Sequence, residues 1–511
     1  MSARCLMIQG TASSVGKSLL TAALCRILKQ DGLRVAPFKS QNMSLNSYIT
    51  REGGEMGRAQ VVQAEASGIE PSVLMNPILL KPTGDQRSQV IVLGRVYGNL
   101  SAAEYYRVRP SLRPVVRQAF QRLAEDYEVI VIEGAGSPAE INLQEDDLVN
   151  MGMAELADAP VLLVGDIDRG GVFASLAGTV WLLPTPQQQR IKGFIINKFR
   201  GDVEILRPGL ARLEGLIGKP VLGVVPFTDI CIDEEDGAVD ILQRWTTRPA
   251  AEAGDVVVNV IRLPHLSNFT DFEALVRQGV TVRYVQHPGQ FGQPDLVIIP
   301  GTKNTIGDLN WLRSTGLAEK IIFHYRRGGL IMGICGGYQM LGRQIHDPHR
   351  IESENTVAEG LGLLEVVTVF AEQKVTSQVQ GEILLNRSEL LRGLEGVPFA
   401  GYEIHLGRTN LGPGIEPVLL LHAMHGGSRL EGAVDQSGRV LGVYVHGFFD
   451  SPPLVLGLVN NLRRRCGLEE SSYTLPDPMA FKQQEYDRLA SLVRQHLDMN
   501  QLYRIIGLNS S

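Results

Sequence analysis

Between residue 4 and about residue 228, short apolar runs alternate with helical patterns, and this alternation restricts the fold more than any other feature of the chain. The runs are Arg4 to Gln9, Val129 to Ile132, Val161 to Val164, Gly193 to Ile196 and Val221 to Val225. Continuous apolar strands of this kind are covered on both faces, so the pattern predicts a buried parallel sheet between helices. From Ser18 to Gln30, Leu20, Leu24 and Leu28 recur at a spacing of four with Ala23 and Ile27 beside them, which predicts a helix with one apolar face. Around Asp240 to Gly254 the chain turns polar and small, with Thr246, Thr247 and Pro249, and this marks the expected boundary. A second alternating series follows: Val256 to Ile261, Val282 to Val285, Leu296 to Ile299, Leu330 to Ile334 and Leu441 to Val445. At 511 residues the chain is too long for one hydrophobic core. The expectation is an α/β protein with domains over 1–240 and 255–460 and a helical C-terminal segment over 470–511.

Composition excludes several classes of partner. A net charge of -6 supplies no basic field for phosphate backbones or anionic lipid, so nucleic acid is not expected. No apolar run approaches the roughly 20 residues that span a bilayer, and the N-terminus lacks the three-part pattern of a secretory signal. The five cysteines, Cys5, Cys25, Cys231, Cys335 and Cys466, are scattered without the paired spacing of a disulfide framework or a zinc site. A reducing, cytoplasmic location is therefore expected.

Two short motifs carry chemistry. Gly10-Thr-Ala-Ser-Ser-Val-Gly16-Lys17-Ser18 follows a strand and opens an amphipathic helix, the context of a phosphate-binding loop. Loop N–H groups and the free N–H groups of the helix start converge there, and the helix dipole favours negative charge. Gly10, Thr11 and Gly16 would shape the loop, Lys17 would reach the terminal phosphates of ATP, and the Ser18 hydroxyl would ligate Mg²⁺. Glu133 ends an apolar strand, where open sheets bind ligands, and is a second candidate for Mg²⁺; the competing reading is a carboxylate capping the next helix.

The other motif is Gly333-Ile-Cys335-Gly336-Gly337, immediately after the run Leu330 to Ile334. Small residues on both sides permit a sharp strand-to-helix turn that exposes a thiol at a helix N-terminus, which stabilises the thiolate. The N–H of Gly336 is then placed for an oxyanion hole, and Pro300-Gly301-Thr302 could give a second donor through the backbone at Gly301. His446, at the end of another apolar run, is the candidate base.

These residues carry two family resemblances. The phosphate loop has one more residue between its glycines than the standard pattern and resembles that of dethiobiotin synthetase and its relatives, which activate carboxylates with ATP. In that comparison Lys39 matches an additional phosphate-facing lysine and Asn197 an adenine-contacting position, although a simple turn would equally explain Asn197-Lys198. The second half resembles a class I glutamine amidotransferase domain, whose Gly-x-Cys-x-Gly elbow hydrolyses glutamine. Many relatives orient the histidine with a glutamate two residues on; here that position is Phe448. The branch lacking this acid comprises the cobyrinic and cobyric acid amidating enzymes. Lys39-Ser-Gln-Asn-Met-Ser44, Gly53-Gly-Glu-Met-Gly57-Arg-Ala-Gln60, Gly165-Asp-Ile-Asp-Arg-Gly-Gly171 and Tyr402-Glu-Ile-His405-Leu-Gly407 are similar to segments of the cobyric acid synthase family over nearly the whole chain.

That resemblance implies ATP- and glutamine-dependent amidation of a corrinoid, adenosylcobyrinic acid a,c-diamide, at its b, d, e and g carboxylates. An amidase for the a and c carboxylates is the alternative, and an ATP-driven partition-type switch a more distant one. A fused glutaminase has no purpose in a switch.

Overall fold

The first sheet is built from β1 (Arg4–Gly10), β2 (Val35–Phe38), β3 (Val129–Glu133), β4 (Val161–Asp166), β5 (Ile191–Phe199) and β6 (Val221–Pro226). Their order is β6-β5-β4-β1-β3-β2, and every neighbouring pair is parallel. The computed structural model describes residues 3–84, 87–143, 147–230, 232, 256–353, 355–423 and 427–508. The expected boundary segment 240–254 and Cys231 lie outside these residues.

Alternation along β1 explains why the sheet is covered on both faces. Leu6 and Ile8 join one apolar core together with Leu20, Leu24 and Leu28 of α1 (Lys17–Gln30), while Met7 joins the core on the opposite face with Ile130 and Ile132. From β1 the chain moves to one side of the sheet for β2 and β3, then crosses to the other side for β4. The crevice at that switch point opens at the C-terminal ends of β1 and β4, beside that of β3.

Between β2 and β3 lies an insertion that strand periodicity did not predict. It holds a four-stranded sheet of Gln41–Met43, Ile78–Gly84, Arg87–Val92 and Arg95–Ser101, together with the buried helix α2 (Arg58–Ser67).

The second sheet contains β7 (Val257–Ile261), β8 (Thr281–Val285), β9 (Leu296–Ile299) and β10 (Leu330–Ile334). Farther along are a long hairpin of β11 (Val366–Ile383) and β12 (Pro398–Leu411), and then β13 (Ala433–Val434) and β14 (Val440–Val443). The order is β8-β7-β9-β10-β14-β13, parallel except for the edge strand β13. β14 ends at Val443, and the chain runs on to His446, which pairs with Tyr402 of β12 through His446 N–H donating to Tyr402 O at 2.9 Å.

The C-terminal segment does not stand apart. Helix α4 (Pro478–His496) returns to α1, where Tyr486, Leu489, Ala490 and Val493 complete the core behind the first sheet. The Arg26 guanidinium meets Asp487 at 2.7 Å and Arg494 meets Asp31 at 2.7 Å, tying the C-terminal half of α1 to α4. Among the described residues no helix is long and apolar enough to cross a membrane.

Candidate active site

At the C-terminal ends of β1, β3 and β5 the structure brings together the residues expected to handle nucleotide. The Ser18 hydroxyl donates to Glu133 Oε1 at 2.7 Å, and Lys39 Nζ meets the same oxygen at 2.9 Å. Lys17 Nζ donates to Ala12 O at 2.9 Å and to Gly136 O at 3.3 Å, so its ammonium lies across the mouth of the loop. Asn197 Nδ2 donates to Val15 O at 2.9 Å, and a Cβ on Gly16 would sit 2.1 Å from that nitrogen. Gly16 is thus required twice, by this close approach and by its φ of 95°. The Asn197 amide therefore braces the loop. Gly10 is equally confined, since a Cβ there would lie 2.5 Å from Val15 Cγ2, and Thr11 N–H donates to Val164 O at 2.9 Å, tying the loop to β4.

Sequence reasoning missed the other partners of Glu133. Gln63 Nε2 donates to its Oε2 at 2.6 Å and Gln60 Nε2 to the same atom at 3.3 Å, both from α2. Burial raises the Glu133 carboxyl, but Lys39, Ser18 and Gln63 outweigh it and hold the group below the usual carboxylate range. An ionised carboxylate beside a hydroxyl is a pair of hard oxygen donors, which suits Mg²⁺ bound jointly with phosphate oxygens.

The second cluster sits where β10 meets α3 (Gly336–Leu341). Cys335 has φ 52° and ψ −109°, the strained elbow that holds its thiol out of the strand line. Gly336 and Gly337 are necessary for this approach: a Cβ on Gly336 would lie 2.8 Å from Thr302 Cγ2, and one on Gly337 1.9 Å from Ile299 O. Gly301 lies against the histidine, where a Cβ would be 2.9 Å from His446 Cε1. The backbone at Gly301 and Thr302 therefore borders the elbow on one side, with Gly336 on the other.

Phe448 indeed supplies no acid, being buried in the apolar core. The acid comes from elsewhere: Asp271 Oδ2 lies 2.7 Å from His446 Nδ1, and Asp271 Oδ1 accepts the Gly447 N–H at 3.1 Å. Asp271 belongs to a single 3₁₀ turn, Phe269–Phe272, and nothing in its local sequence announces the role. Burial lowers the His446 imidazole, yet Asp271 and the hydrogen-bonded Cys335 outweigh it and push it up to about 10. The resulting imidazolium stands beside Cys335 as a proton donor. Tyr402 stacks on the imidazole with ring centroids 5.4 Å apart, fixing its plane.

Cys335 and His446 line a cavity of about 40 Å³ that also includes Lys81 from the insertion in the first half of the chain. Lys81 Nζ meets Glu55 Oε1 at 2.7 Å, and Lys374 of β11 meets Glu55 Oε2 at 2.7 Å. An ion chain thus joins the two halves at the wall of the cysteine cavity. Glu55 opens the short strand Glu55–Gly57 that leads directly into α2, which carries Gln60 and Gln63 to Glu133. Beyond Lys374 and Leu406, which line both spaces, lies a cleft of about 1030 Å³.

Comparisons with known proteins agree with both halves of this arrangement. Residues 6–238 match the CobQ/CobB/MinD/ParA nucleotide binding domain, and residues 257–454 match the CobB/CobQ-like glutamine amidotransferase domain. A chain joining these two is a glutamine-dependent amidating ligase with a nucleotide-binding unit. A cobyric acid synthase of Thermoanaerobacter sp. is 52% identical over 505 residues, covering 98% of each chain. Those of Caldanaerobacter subterraneus subsp. tengcongensis and Clostridium acetobutylicum are 54% and 52% identical over 504 residues, covering 98% of this chain and 98% and 99% of theirs. The chain belongs to the cobyric acid synthase family.

Proposed function

We propose that the protein amidates the b, d, e and g carboxylates of adenosylcobyrinic acid a,c-diamide, using ATP and glutamine, in the cytoplasm. The observation that carries this reading is the pairing, in one chain, of the Cys335–His446–Asp271 cluster with the Lys17–Lys39–Glu133 cluster, linked through Glu55 and α2. Its working units are residues 1–240 for carboxylate activation and 255–460 for glutamine hydrolysis, followed by the C-terminal segment 470–511, whose helix α4 packs on the first.

In the glutaminase half, the Cys335 thiolate attacks the carboxamide carbon of glutamine. The backbone N–H groups at Gly336 and Gly301 serve the developing oxyanion, and His446 gives its proton to the departing ammonia. Water then hydrolyses the glutamyl thioester, with His446 taking back a proton and Asp271 holding the imidazole in one tautomer. Glutamate leaves.

A carboxylate resists ammonia because its leaving group would be oxide. In the first half, a corrinoid carboxylate oxygen accepts the terminal phosphoryl group of ATP, ADP departs, and ammonia displaces phosphate from the acyl phosphate with loss of a proton. Gly10, Thr11 and Gly16 hold the loop for this step, Asn197 braces it, and Lys17 and Lys39 face the phosphates. Ser18 and Glu133 would hold Mg²⁺, which neutralises phosphate charge when bound.

Like carboxylates on one macrocycle cannot share one activation site together, so the substrate must reorient or rebind between amidations. A time course on the purified protein with the a,c-diamide, followed by mass spectrometry, should show discrete partly amidated intermediates. A product that stops at the a,c-diamide when the fully acidic corrinoid is supplied would identify the a,c-amidase instead.

A further inference from the structure

The cavity at Cys335 holds more charge than the ion chain accounts for. Lys81, Lys303, Lys374 and Glu352 all line it. Glu55 satisfies Lys81 and Lys374 from behind. Lys303 is different: among the described residues its ammonium has neither a hydrogen-bond nor an ion-pair partner, although its backbone N–H donates to His265 O at 3.1 Å. Glu352 is the counterpart. Its Oε2 accepts the N–H groups of Thr305 at 2.7 Å and Ile306 at 3.4 Å, while its other oxygen takes no bond among the described residues.

A cation and an anion with unspent bonding capacity beside a nucleophile describe a receptor for a zwitterion. Lys303 and Glu352 attract each other without a direct contact, and leaving their remaining bonding positions desolvated is costly, so a ligand carrying the complementary charges removes the cost. Burial, together with Lys374 and Lys81, pushes the Lys303 ammonium toward its neutral form, and burial pushes the Glu352 carboxyl up. A zwitterion would restore both charges.

We propose that Lys303 and Glu352 are the specificity subsite of the glutaminase half, holding the α-carboxylate and the α-ammonium of glutamine respectively while its carboxamide meets Cys335. This rests on the reading of Cys335 as the glutaminase nucleophile. The α-carbon of glutamine lies three bonds from the carboxamide carbon, so both α-groups fall within the same small chamber as the thiol. At about 40 Å³ the chamber has room for about three waters, so glutamine must widen it. The neighbouring cleft beyond Lys374 and Leu406 provides the space.

The test compares glutamine with glutaramate, which lacks the α-amino group, and with 4-aminobutanamide, which lacks the α-carboxylate. Lys303→Met should raise KM for glutamine about 10- to 100-fold, the range of one lost charge-assisted hydrogen bond, with a much smaller change in kcat. It should also erase the preference for glutamine over 4-aminobutanamide while keeping the preference over glutaramate. Glu352→Gln should do the reverse, and Lys303→Arg should retain most of the discrimination. If Lys303→Met does not fold by thermal melting, Lys303→Gln carries the same comparison. Wild-type KM and unaltered discrimination in both variants, with Cys335→Ser inactive toward glutamine, would overturn the subsite alone. Full glutamine turnover by Cys335→Ser would overturn the glutaminase reading beneath it.

Discussion

Asp271 and His446 stand 175 positions apart in the chain, yet their side chains meet at 2.7 Å, with Oδ2 of one facing Nδ1 of the other. The second carboxylate oxygen of Asp271 holds the N–H of Gly447, so the acid fixes both the ring and the backbone that carries it. The contact replaces the acid missing at Phe448, and its charge raises the His446 imidazole.

Asp271→Asn removes the charge that holds the His446 imidazole up to about 10, so its proton should be lost at lower pH. Thiolate at Cys335 then loses its imidazolium partner. Alkylation of Cys335 by iodoacetamide, followed by peptide mapping across pH, should persist into the acid range in the wild type and shift to higher pH in the variant. Glutamine hydrolysis should fall by about 10²- to 10⁴-fold. An alkylation profile that does not move would show that Asp271 does not set the charge of His446.

Separate nitrogen donors distinguish the two clusters. Cys335→Ser replaces a thiolate-forming nucleophile by a hydroxyl and should abolish synthesis from glutamine, while free ammonium still serves as donor. Lys17→Ala should remove synthesis from either donor, because both routes need the activated carboxylate. The checking measurement is amide product formed per enzyme with each donor. Wild-type ammonium-dependent rates in Lys17→Ala would refute its assignment to the phosphates.

Local motifs were legible and long-range partners were not. The elbow at Cys335 could be read because a steep turn demands its glycines within a few residues, and the phosphate loop because strand, glycines and helix are contiguous. Glu133 was visible from its place at a strand end. Gln60 and Gln63 reach it from α2, within an insertion whose segments carry no α/β alternation, so no periodicity pointed to them. The long hairpin of β11 and β12 was missed because residues such as Glu372, Gln373 and Lys374 interrupt any apolar alternation. The return of α4 to α1 was hidden for a related reason: its outward face is polar, and the buried face of Tyr486, Leu489, Ala490 and Val493 has no partner nearby in sequence.

The ion chain between the halves gives the remaining prediction. Burial raises the Glu55 carboxyl, but Lys374 and Lys81 outweigh it and hold it well below the carboxylate range. Because the folded value is depressed, this stabilisation is fully present above the unfolded value of about 4.3 and is lost only as pH falls through the folded one. Glu55→Gln should therefore destabilise the protein near neutral pH, by about 3–5 kcal/mol, since it leaves two buried ammonium groups facing a neutral amide. Removing one of those cations as well, in Glu55→Gln with Lys374→Met, should recover part of the loss, because fewer unpaired charges remain. Thermal and urea unfolding of the wild type, both single variants and the double variant form the cycle that measures this coupling. Strict additivity of the two substitutions would mean that Glu55 and Lys374 do not interact across the boundary, and that the wall of the Cys335 cavity is held by other contacts.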